Sequence, residues 1–204
     1  HARGVKVRRP KPLVEELRAL KSEWEVRQIE KALRIQERSF LETCRLLRPG
    51  MHEYEAAAEL RHRMVRAGAD DQAFQIMFQW GANSSLPHGR PTDRRLRQDA
   101  IVLCDFGACY SGYHADLTRT FFIGRIPARL RRIHQIVAEA QARALASMAP
   151  GVKLFDVDKA ARDHIKKEGF GRFFGHSTGH GLGLKIHESP SLNWRSKGKL
   201  QAGM

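Results

Sequence analysis

Residues 100–124 read AIVLCDFGACYSGYHADLTRTFFIG, and how this stretch pairs with itself decides the fold. Apolar strand-formers at both ends enclose turn-forming residues, which predicts a β-hairpin of IVLCDFGACY followed by SGYHADLTRTFFIG. With the turn centred on Tyr110-Ser111, Asp105 falls directly opposite Asp116, and opposed residues have Cβ atoms about 5 Å apart. Asp is a poor strand residue, and two facing carboxylates repel unless something neutralises them. A divalent cation, or a pair of them, would do so. The hairpin alone leaves the alternative open: one aspartate belongs to the turn and the other is solvated.

Upstream of the hairpin the pattern is helical. A short helix is expected over Leu13–Leu20, then a capping box at Ser22-Glu23-Trp24-Glu25. Val26, Ile29, Leu33, Phe40, Cys44 and Leu47 keep helical period and predict the buried face of the next helix. Arg48-Pro49-Gly50 stops it, and a further helix runs from about His52 to Ala67, ended by Gly68. The plan then returns. A helix over 130–148 is stopped by Ala149-Pro150-Gly151, and another runs to Glu168, ended by Gly169. Pro49 with Pro150, Gly50 with Gly151, Tyr54 with Phe155, Glu55 with Asp156 and Gly68 with Gly169 share one register, 101 residues apart. Helix punctuation alone repeats Pro-Gly often, but a common register with a long helix before each match argues for duplication. Strands are expected at Phe74–Gln79, Ala100–Cys109 and Tyr113–Ile123 after the first pair, and from Gly171–Phe174 onward after the second. This predicts an α+β fold of duplicated helix-helix-strand halves.

Charge and cysteines bound the function classes. The net charge is +14, which raises nucleic acid as a partner. The basic clusters Arg8-Arg9, Arg94-Arg95, Arg131-Arg132 and Lys166-Lys167 are scattered, however, with no interleaved aromatic stripe, and read as solvated surface. Apolar runs such as Ile101–Cys104 are too short for a membrane span. Cys44, Cys104 and Cys109 are odd in number and lack metal-like spacing, which fits a reducing, cytoplasmic setting.

Three of ten histidines cluster in FFGHSTGHGLGLKIHESP: His176, His180 and His187. Glycines at 179, 181 and 183 exclude a continuous helix, and the segment is neither a helical zinc motif nor a P-loop. Glycines beside a histidine suit close backbone approach to a metal or substrate. His88 lies in a loop ahead of the hairpin, within Leu86-Pro87-His88-Gly89-Arg90-Pro91. His52, His62, His134 and His164 read as surface residues.

PHGRPTD, DFGACYSGYHADLTRTF and HSTGHGLGLKIHESP together resemble the pita-bread metallopeptidases, in the family's order and over essentially the whole chain. The Asp-Leu-Thr-Arg-Thr-Phe run and the lead segment 17–25 are most similar to the Xaa-Pro aminopeptidase and Xaa-Pro dipeptidase (prolidase) branch. The resemblance implies a duplicated α+β fold. It further implies two divalent metal ions, manganese foremost with cobalt, zinc or iron as alternatives, held in part by Asp105, Asp116 (bridging) and His180. It makes His88 and His187 catalytic groups that contact substrate and stabilise the tetrahedral intermediate, and His176 a substrate-binding residue. The implied reaction is hydrolysis of Xaa-Pro peptide bonds by a metal-bridged hydroxide, on a peptide with proline at its second position, in a homodimer or tetramer.

This chain departs from the family in one respect. The family's two glutamate ligands, one in a Glu-Pro-Gly segment, have no match before Met204, and Glu188 fits neither motif. The Xaa-Pro enzymes also carry a separate N-terminal domain, and residues 1–21 resemble its exit linker, so they are expected to be a linker from an absent N-terminal domain. Residues 22–204 are expected to be an incomplete catalytic domain lacking its C-terminal strands and inactive alone. The alternative reading is a non-catalytic pita-bread protein that binds nucleic acid or a protein partner through its basic surface. A creatinase-like, metal-free hydrolase is a third. Neither needs both aspartates.

Overall fold

The computed structural model describes residues 13–204, so the basic lead Arg8-Arg9-Pro10-Lys11-Pro12 lies outside the described residues. α1 spans Leu13–Ala19 and α2 spans Glu23–Cys44. The capping box forms: Ser22 Oγ accepts from the Glu25 N–H while Glu25 accepts from the Ser22 N–H. α3 (Glu53–Arg66), α4 (Ala128–Ser147) and α5 (Leu154–Lys167) complete the helices.

The duplication holds in atomic detail. α3 and α5 begin and end 101 residues apart. Each closes on a left-handed glycine, Gly68 (φ +100°) or Gly169 (φ +86°). The next N–H reaches back across the last turn, from Ala69 to Met64 O and from Phe170 to Ile165 O, both at 3.0 Å. Gly50 and Gly151 share φ +91°. Their N–H groups bond Leu96 O and Leu200 O, at 2.9 and 2.8 Å.

The first half carries two of the three sheets. β1 (Asp71–Gln72), β4 (Ala108–Tyr110) and β5 (Tyr113–His114) form one; β2 (Met77–Trp80), β3 (Ala100–Phe106) and β6 (Leu117–Ile123) form the other, both antiparallel. The continuous strand expected over 100–109 breaks at Gly107. Fully buried Phe78, Val102 and Phe106 centre the first core with Leu60 and Met64 of α3; each aromatic side chain contributes about 2–3 kcal/mol of burial. The second core joins Ile136, Ala140 and Ala144 of α4 to Val157, Ala161 and Ile165 of α5.

Three expectations are corrected. The innermost stripe of α2 is Gln28, Ala32, Gln36, Ser39 and Thr43, whereas Val26 is exposed and Leu33 and Phe40 are half-buried. Small side chains let α2 approach closely, and Gln36 Oε1 accepts the Ala108 N–H at 2.8 Å. Residues 171–173 form a 3₁₀ turn, not a strand; the second half's strands are β7 (Gly179–Gly181) and β8 (Glu188–Leu192). His164 is buried, not a surface residue, because it continues the inner stripe Leu154-Val157-Ala161 of α5, where Glu139 of α4 faces it at 3.2 Å. No described helix is long and apolar enough to cross a membrane.

Candidate metal centre and its histidines

Asp105 pairs across the ladder with Thr118, not with Asp116, and accepts the Thr118 hydroxyl at 2.9 Å. The hairpin turn centres on Ser111 (φ +51°) and Gly112 (φ +76°). These are the two left-handed central residues of a type I′ turn, which matches the twist of the flanking strands. The register therefore slips by two from the expected one. A slip of two preserves the face, so Asp105 and Asp116 remain on one side as diagonal neighbours, with Cβ atoms about 7 Å apart. Position 107, which this register sets opposite Asp116, must be glycine: a Cβ there would meet Ala115 O at 2.0 Å.

Burial raises the Asp105 pKa above its ordinary 3.8; the Thr118 hydrogen bond opposes this, the Asp116 charge adds to it, and His88 and His180 pull it back. His88 itself is exposed in the loop after β2, with a left-handed backbone (φ +56°). Glu53 fixes that loop. Fully buried at the start of α3, its carboxylate accepts from Trp80 N–H (2.9 Å), Asn83 Nδ2 (2.7 Å), Thr92 N–H (2.9 Å) and Thr92 Oγ1 (2.7 Å). Both ends of the loop thus hang on one side chain.

The second half supplies His180. Its Nε2 lies 3.5 Å from Asp116 Oδ2, and its Nδ1 lies 3.0 Å from Gly181 O. A carbonyl only accepts, so Nδ1 carries a proton. Nε2 then faces carboxylate lone pairs, an arrangement that requires a second proton on the ring or a cation between the two groups. Without a cation the Asp116 hydrogen bond raises the His180 pKa above its ordinary 6.5, against the opposing effect of burial. Neither aspartate pairs with Lys or Arg among the described residues. Two carboxylates and an imidazole backed by a carbonyl fit a divalent ion in chemistry. They stand as an open set, since no three such groups among the described residues close around one point.

Of the glycines beside His180, Gly181 serves the packing of the chain itself. A Cβ at Gly181 would meet Ser189 O at 2.4 Å, so the close approach is to the chain's own β8. The β7–β8 ladder shifts register between His180 and Gly181, and such a bulge re-aims the adjoining side chain. His187, just before β8, brings its ring centroid 4.4 Å from that of His180. His176 is exposed, with its ring edge-on to Phe174 and its Nδ1 2.8 Å from Ser177 O.

Sequence reasoning missed the residues that hold these groups. His114 donates its N–H to Gly183 O at 2.8 Å, tying the hairpin to the glycine-rich loop. Arg162 of α5 chelates Asp158 through Nε and Nη2 and donates to Phe174 O and His176 O, each at 2.8 Å. Its guanidinium also lies over the rings of Phe174 and Trp194. The i,i+4 spacing of Asp158 and Arg162 was a usable signal. Glu53 was hidden, because an acid in a helix's first turn reads as ordinary dipole compensation.

The sequence model of metallopeptidase family M24 matches residues 27–204. The chain belongs to that family. This M24 chain is 42% identical over 191 residues to an uncharacterized peptidase of Bacillus subtilis, covering 94% of this chain and 54% of that protein. It is 37% identical over 192 residues to an Xaa-Pro dipeptidase of Pyrococcus furiosus, covering 94% and 55%. Among solved structures it matches an X-Pro aminopeptidase of Thermotoga maritima (TM-score 0.91, 41% identity, 94% of this chain and 54% of that one). It likewise matches the prolidase of P. furiosus (TM-score 0.92, 37% identity, 94% and 57%). The fold is thus the α+β pita-bread fold, and the chain spans about half the length of the relatives it matches.

Proposed function

We propose that the protein containing this chain hydrolyses Xaa-Pro peptide bonds, as an aminopeptidase or a dipeptidase. The approach of Asp116 to His180 across the two halves carries this reading, because two aspartates and a histidine without a basic counter-charge among the described residues are a cation site in waiting. Asp105, Asp116 and His180 are the ligands this chain provides for two divalent ions, manganese first among the candidates. Bound there, such ions lower the pKa of water and polarise a carbonyl. His187, against the His180 ring, is placed to donate a hydrogen bond to the oxyanion of the tetrahedral intermediate. His88 contacts substrate from the loop that Glu53 anchors, and His176 lines the substrate side. Residues up to Lys21 link a preceding domain, and the free thiols Cys44, Cys104 and Cys109 fit a cytoplasmic protein.

The test uses the product of the complete reading frame, loaded with Mn²⁺ and assayed on Gly-Pro and on a longer Xaa-Pro peptide. Turnover that needs metal and falls at least about 10³-fold in Asp116→Ala is expected, since lost ligands abolish metal-assisted steps. His187→Ala should lower kcat while metal content stays near stoichiometric. Absence of metal-dependent cleavage on both substrates refutes the reading.

A further inference from the structure

Glu188 follows His187 directly and carries a carboxylate that is almost wholly buried, with only 7% of the side chain exposed. Its partners come from the lead segment at the far end of the chain. Arg18 of α1 donates to Oε1 through Nη2, and the Lys21 ammonium lies 3.7 Å from Oε2 with 5% of its side chain exposed. The same carboxylate accepts the Lys185 N–H at 2.8 Å, which closes the turn that delivers His187. Gly183 fits beneath it: a Cβ there would come within 2.9 Å of Glu188 Oε2. Gly183 O in turn receives His114 of the aspartate hairpin. The Lys21 N–H also holds Gly203 O at 2.8 Å.

A buried ion pair is weak evidence for stability, because desolvation offsets most of the attraction. Its geometry is more informative. The pair ties α1, the only helix among the described residues that precedes the duplicated unit, to the residue beside His187, and it does so through a turn whose other end rests on the Asp116 hairpin. We infer that Arg18, through Glu188, is a positioning residue that sets where the His187 ring stands relative to His180. The lead segment is thus a working part of the site, and displacing α1 displaces His187. The inference rests on the proposed role of His187, and its test separates the two.

Arg18→Gln, Arg18→Lys and Glu188→Gln are made in the complete protein with ¹⁵N-labelled histidine. The ring resonances are read without metal or substrate, the His187 signal being assigned by its loss in His187→Gln. Turnover and bound metal are measured separately on the Mn²⁺-loaded protein. The expected result is a shift of the His187 and His180 ring signals with those of His62 and His134 unmoved. It includes a fall in kcat of about 10- to 100-fold, as misplacement by an ångström produces, with KM changed less and metal content retained. Guanidinium ion added to Arg18→Ala should restore part of the lost kcat. Unmoved His187 signals in any folded variant overturn the inference, as does failure of all three variants to fold, which would make the cluster purely structural. A wild-type protein that cleaves no Xaa-Pro bond refutes the proposed activity and leaves the ring-signal test standing.

Discussion

Asp116 Oδ2 and His180 Nε2 stand 3.5 Å apart, one from each half of the duplicated fold, with no guanidinium or ammonium among the described residues paired to either. In the metal-free protein His180 therefore titrates above 6.5. The sign follows from linkage: the raised pKa gives stability that is fully present below the unfolded value and is lost as pH rises through the folded one. Histidine titration by NMR should show this elevated midpoint, with Asp116→Asn returning it toward 6.5. Because metal needs the deprotonated ring, Mn²⁺ affinity should climb with pH through the same window. A midpoint at or below 6.5 in the unsubstituted protein contradicts the arrangement.

Glu53 anchors the His88 loop at both ends. Glu53→Gln puts an amide NH₂ against donors and should cost about 2–4 kcal/mol, the penalty of leaving buried donors unpaired. Urea unfolding measures that cost. Proteolysis should locate new cleavage between Gly81 and Thr92; a variant as stable and as resistant as the parent would show that the loop holds itself.

Gly181→Ala places a methyl 2.4 Å from Ser189 O, a backbone atom that cannot rotate aside. A loss of about 3 kcal/mol is expected, at the upper end for overpacking, together with weakened metal binding as β7 shifts. Gly179→Ala, whose added Cβ meets only Leu192 Cδ1 at an ordinary 3.5 Å, is the matched control. Equal melting temperatures for the two would refute the account.

Arg162→Lys keeps the charge but loses the fork and the stacking on Phe174 and Trp194. Lysine reaches Asp158 or the loop carbonyls, not both, and about 2 kcal/mol should go with the lost hydrogen bonds. The His176 ring signal should broaden as its loop loosens. A sharp, unmoved signal would assign the anchoring elsewhere.

What was legible in the sequence were features whose cause is local. The Ser22–Glu25 capping box, the terminal glycines and the 101-residue repeat depend on nearby residues, and all form. The face shared by Asp105 and Asp116 was also readable, because strand parity survives a two-residue error in the turn. The register itself was not. Choosing Ser111-Gly112 over Tyr110-Ser111 required seeing that a type I′ turn wants Gly at its second central position. The α2 stripe and buried His164 were misread for a related reason. Each is polar or small and takes its place from what packs against it, which composition does not reveal. Glu53 and Glu188 were illegible, since Thr92 for the one and Arg18 for the other lie far away in the chain, and of the Arg162 contacts only the one to Asp158 was local enough to read.

The glycine-closed helices repeat so closely that the two halves read as copies of one ancestral unit, and the Asp116–His180 contact lies on the seam between them. Neither unit by itself can make that contact. A half-length ancestor could have made this contact only by meeting a second molecule of itself. Fusing the two then converted an encounter that depended on concentration into a permanent one, and freed each copy to specialise.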